Sequence, residues 1–140
     1  MNIVLEQNML KRFPIISILF MLFLCIIFSL EIKVGVANNY TKLLSYFSIS
    51  RSAFFSHQYE RIITANFFHM NIMHLIATLF GLVFYLSLNE IFLGKGRTLI
   101  LITTCSIGGS LGTIVFGIVN NMVGASNIML GMLASLGVLI

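Results

Sequence analysis

Residues 98–140 read TLILITTCSIGGSLGTIVFGIVNNMVGASNIMLGMLASLGVLI, forty-three positions without a single Asp, Glu, Lys or Arg. Apolar runs of this length are membrane-spanning helices. They are interrupted once, by Asn120-Asn121-Met122-Val123-Gly124-Ala125-Ser126-Asn127. A hydroxyl and three amides at membrane depth are costly where no water pairs with them, so such a break is expected to line a cavity or a site. Ser126 is therefore the first candidate functional residue.

The rest of the chain agrees. Hydrophobic residues make up 59% and charged residues 9%, with a mean hydropathy of +1.04, against roughly 25% charged residues in a soluble domain. This is the composition of an all-α polytopic membrane protein. The net charge of +4 comes from eight scattered basic residues, Lys11, Arg12, Lys33, Lys42, Arg51, Arg61, Lys95 and Arg97. They form no basic stripe, which excludes nucleic acid as a partner. Cys25 and Cys105 fall inside apolar runs, where a thiol behaves as a small hydrophobe, and two such thiols make no disulfide framework.

Four spans are expected after an N-terminal tail of residues 1–12: about 13–30, 62–88, 98–119 and 126–140, with a long loop, 31–61, between the first and second. The first reaches ~27 Å as helix, enough for one crossing. A cleavable signal peptide is the competing reading, but its apolar core is usually shorter, about 7–15 residues, and further spans follow here. The loop carries Tyr40, Tyr46, Phe47, Phe54, Phe55 and Tyr59 among Lys and Arg, which suits short helices lying in the headgroup layer. A loosely ordered external connection fits equally. In the third span Gly108 and Gly112, four apart, are expected to let another helix approach. The fourth span reaches only ~22 Å, so either it begins below the surface, with Ser126 at the bottom of a hydrated cavity, or the natural chain continues. Basic residues divide four against four between the two sides, so charge leaves the orientation undetermined.

On the second span His69 and His74 are five apart, about 140° on a helix, unlike the i, i+4 pair of a zinc helix, which disfavours a metal. His74 shares a face with Asn71, Thr78, Gly81 and Tyr85, a polar and small seam aimed at neighbouring helices. One reading is that these groups merely tie helix to helix. The other is chemical. A serine hydroxyl is a weak nucleophile until a base takes its proton, and acyl transfer needs donors for the developing oxyanion. His74, Thr78 and the Ser126 N–H, at a helix N-terminus after Gly124-Ala125, are suitable donors. Neither metal nor nucleotide is required, so no cofactor is expected.

Taken together, Arg61, His69-x4-His74 and Gly124-Ala125-Ser126 resemble the rhomboid family of intramembrane serine proteases, whose second span carries two histidines and an asparagine and whose fourth starts G-x-S-G. Gly131 and Ala134 match the small residues that the family places down that helix. The resemblance implies a rhomboid-like helical bundle that cleaves transmembrane segments of membrane proteins, with Ser126 as nucleophile, His74 as oxyanion donor and His69 as a neighbouring polar residue. It also implies the lipid bilayer as surroundings, and a plasma membrane with the N-terminus inside. Four departures stand out. Thr78 replaces the asparagine; Asn127 replaces the glycine after the nucleophile, adding bulk where substrate backbone should approach; Leu130 occupies a position often aromatic. The family's base histidine has no counterpart, because no histidine follows Ser126. His57 reads as a solvated loop residue. The 140 residues are thus expected to be inactive on their own. A protease-dead relative that holds membrane clients, or a small transporter or assembly subunit, are the alternatives.

Overall fold

The computed structural model describes residues 13–117 and 120–139. Within them lie α1 (Ile15–Val34), α2 (Tyr40–Phe47), α3 (Arg51–Phe55), α4 (Arg61–Thr64), α5 (Ile72–Leu93), α6 (Lys95–Phe116) and α7 (Ser126–Leu139). Among the described residues, extended pairing is limited to one antiparallel bridge, Ile49 with Met122. Three helices, α1, α5 and α6, are long and apolar enough to cross a bilayer, and α7 is apolar but shorter. The chain is an all-helical integral membrane protein.

The helix limits correct the expected spans, each for a local reason. The first helix continues past Leu30 and takes in Glu31 and Lys33 before Gly35, at φ +72°, ends it. Glu31 is buried, and that cost is offset because its carboxylate accepts the His69 N–H, at 3.2 and 3.3 Å. The uncharged run 62–88 is not one helix. After α4 the Asn66 amide turns back to donate to the Ile62 and Ile63 carbonyls. Helix α5 begins only at Ile72, where extended Asn71 caps it by accepting the His74 N–H at 2.9 Å. The third helix starts earlier than expected, at Lys95, and stops at Phe116; Ile118, Val119 and Ile140 lie outside the described residues.

Two carboxylates clasp α1 to α5. Glu90, near the end of α5, accepts the N–H groups of Ile16 and Ser17 at 2.9 and 2.8 Å and the Ser17 hydroxyl at 2.7 Å. It thereby satisfies the free donors of the first turn of α1 and places a negative charge at its positive end. Glu31, near the end of α1, does the corresponding service for the backbone that leads into α5. The two helices therefore run antiparallel. The core around them is Leu24 and Phe28 from α1, Leu75, Leu82 and Leu86 from α5, Ile102 from α6, and Ile128 and Met132 from α7.

The region between α1 and α5 is a folded collar of short helices. Asn39 and Ser50 cap α2 and α3 by accepting the Lys42 and Ala53 N–H groups. Buried Arg61 donates to the Ser48 and Ser45 carbonyls, at 3.1 and 2.8 Å. Arg51 donates to the carbonyls of Ile114 and Val115, at 3.0 and 2.9 Å, setting a cation over the negative end of α6.

Candidate active site

The segment that leads into α7 is fixed from outside itself. Met122 exchanges both backbone hydrogen bonds with Ile49, at 2.9 and 3.0 Å, and the Gly124 N–H donates to the Ala65 carbonyl at 2.9 Å. The Ser48 hydroxyl donates to Asn121 Oδ1 at 3.1 Å. Val123 and Ala125 are buried. Gly124 has φ +112°, and a Cβ built there would lie 2.7 Å from Cε1 and 3.0 Å from Nε2 of His74. Only glycine relieves both the backbone and the contact. The imidazole of His74 thus packs on the turn two residues before Ser126. Ser126 itself is half-buried and is the first residue of α7, so its N–H has no partner within the helix.

His69 is not on α5, which overturns the 140° argument for keeping the two histidines apart. It sits in the bend before Asn71, and its ring centroid is 5.1 Å from that of His74, edge to face. His69 is fully buried. Its Nδ1 lies 3.2 Å from the Phe67 carbonyl; a carbonyl only accepts, so Nδ1 carries the proton and Nε2 presents a bare lone pair. Burial, reinforced by the neighbouring His74, pushes the His69 pKa down to about 4. Among the described residues His69 Nε2 and His74 Nδ1 both lack a hydrogen-bond partner, and Nε2 is the His74 nitrogen nearer Gly124.

Below His74 the seam meets α7 as its spacing implies. Thr78 and Gly81 are buried, and Met129 fills the space beside Gly81. About two turns further along α5, Asn89 donates to the Met132 carbonyl at 2.8 Å. Since rising numbers on α5 meet rising numbers on α7, these helices are parallel. Asn71 drops out of the seam, being the cap, and Asn66 ties α4 to α6 through Ser110 Oγ at 3.2 Å. Asn127 is directed at α6. Its side chain packs on Gly109 of α6 and donates to Met122 Sδ at 2.7 Å. Gly109 is thus the close-contact glycine of α6, whereas Gly108 and Gly112 face open space. Gly131 receives the Cys105 side chain. Leu130 is 57% exposed, and Ala134 is exposed too. Exposed His57 pairs with the Tyr59 hydroxyl at 2.8 Å. Cavities of about 440 and 380 Å³ on the collar side are lined by Arg61 and Arg51 with their neighbours, and neither reaches Ser126.

A family model for the rhomboid domain matches residues 56–140. The chain belongs to the rhomboid family. No curated protein and no solved structure matches it. In this rhomboid the matched stretch begins just after α3, yet Glu31, Ile49 and Arg51, all earlier, brace it. Sequence reasoning missed these three; the one available sign was a carboxylate abutting an apolar run at Glu31, an expensive place for a charge without a partner.

Proposed function

We propose that this rhomboid carries the site of an intramembrane serine endopeptidase acting on transmembrane segments of other proteins. The observation that supports it is the packing of His74 on Gly124, which brings the two halves of the motif, 50 residues apart in number, to one place between parallel α5 and α7. In this reading the Ser126 oxygen attacks the scissile carbonyl carbon while its proton passes to a base. The oxyanion takes hydrogen bonds from the Ser126 N–H and from His74 Nε2, with Thr78 one turn below. Collapse expels the amine, which takes up the proton, and water then releases the acyl group. Helix α7 serves as a fourth span, the collar α2–α4 lies in the headgroup layer, and the N-terminus faces the inside of a plasma membrane.

None of the three histidines suits the role of base. His69 is turned by its Phe67 hydrogen bond, His57 is held by Tyr59, and His74 is the oxyanion donor. The 140 residues are therefore expected not to cleave a single-span substrate unaided. Imidazole, supplied as a small diffusible base, should restore slow acylation of Ser126 by a fluorophosphonate. That labelling should vanish in Ser126→Ala and weaken in His74→Ala. Unaided cleavage that Ser126→Ala abolishes would refute the missing base. Labelling absent even with imidazole would sink the protease reading and favour a client-holding relative, which Thr78 and the packed Asn127 also suit; its mark is client co-purification indifferent to Ser126→Ala.

A further inference from the structure

The end of the bundle opposite the site holds a cavity of about 700 Å³ where the start of α1 meets the α5–α6 turn. Its polar wall is Lys95 and Arg97; its apolar wall is Phe13, Ile15 and Leu93. Lys95 and Arg97 are exposed, as are Phe13 at 68% and Ile15 at 41%. The carboxylate in the lining, Glu90, is 2% exposed and has both oxygens committed to Ile16 and Ser17. Its charge is directed at the first turn of α1, and among the described residues no other carboxylate lines the cleft beside the two cations. In sequence, Lys11 and Arg12 immediately precede Phe13.

We propose that this cleft binds one anionic glycerophospholipid, its phosphate between Lys95 and Arg97 and the upper part of an acyl chain against Phe13, Ile15 and Leu93. Two cations beside an apolar wall at the end of a membrane span match the two halves of such a lipid, and basic clusters at this level attract anionic headgroups. A soluble phosphate would use the cations and leave the apolar wall idle. The assignment is independent of any chemistry at Ser126.

The test follows thermal unfolding of the 140-residue chain in micelles with a thiol-reactive dye, since Cys25 and Cys105 are free and half-buried. Dioleoyl phosphatidylglycerol should raise Tm by several degrees more than dioleoyl phosphatidylcholine. The difference should disappear in Lys95→Gln/Arg97→Gln, with apparent affinity falling roughly tenfold or more, and persist in Lys33→Gln/Lys42→Gln at the other end. Equal shifts from the two lipids, a difference surviving the first double variant, or a full shift from inorganic phosphate alone would each overturn the proposal. Should that variant not fold, native mass spectrometry of the unaltered chain decides. One phosphatidylglycerol kept in preference to phosphatidylcholine supports the site, and indiscriminate retention overturns it.

Discussion

Gly124 is the residue on which the geometry of the site turns. Its φ of +112° and the His74 ring against it are separate obstacles to any side chain, so Gly124→Ala should cost ~1–3 kcal/mol. The measurement is Tm together with imidazole-assisted labelling of Ser126; an alanine variant unchanged in both would mean that His74 does not pack there. At this scale the sequence was informative about partners and poor about directions. The Gly124-Ala125-Ser126 turn and the His74, Thr78, Gly81 series follow from residue type and helical spacing. The direction of Asn127 does not, because it depends on which glycine of α6 it finds. Three candidates, Gly108, Gly109 and Gly112, differ in rotation about the helix axis and in height along it, and α6 has apolar residues on every side to disguise its buried one.

Helix ends were harder to read than helix existence. Apolar length suffices to locate α1 and α6, since a bilayer demands long uncharged runs, and α7 is marked by the shorter apolar run after the asparagine-rich break. Residues 62–88 show where that logic fails. Absence of charge says nothing about backbone continuity, and the break at 65–71 is made by asparagine caps whose hydrogen bonds hydropathy cannot register. Glu90 shows the converse, a charge that looks like a surface turn yet is buried because the start of α1 needs an acceptor. Glu90→Ala should therefore leave the Ile16 and Ser17 N–H groups without partners, at ~1–3 kcal/mol, and raise hydrogen exchange at the first turn of α1. Glu90→Gln, retaining one acceptor oxygen, should lose less. Equal exchange in Glu90→Ala and the unaltered chain would dismiss the clasp.

For the molecule as a whole, His69 links folding to pH. Its ordinary pKa of 6.5 falls to about 4 in the fold, where it faces the His74 ring and offers its own N–H to Glu31. Below pH 6.5 the unfolded chain takes up a proton that the folded chain refuses. Stability due to neutral His69 is accordingly complete above about 6.5 and is lost as pH falls to about 4, by at most ~3 kcal/mol. The His69 share is read as the difference in Tm between the unaltered chain and His69→Phe from pH 4 to 8, which should fall as pH drops through that window, whatever the buried Glu31 carboxyl adds to both curves; parallel curves would remove His69 as the cause. The collar adds a constraint of another kind. Ile49 is stitched to Met122, and only two residues later Arg51 grips the end of α6. The first anchorage is main chain on both sides and the second needs the Arg51 guanidinium, so this stretch can exchange its other letters across related genes but must keep the arginine and cannot gain or lose a position without releasing an anchorage. Variation there should appear as spelling, never as length.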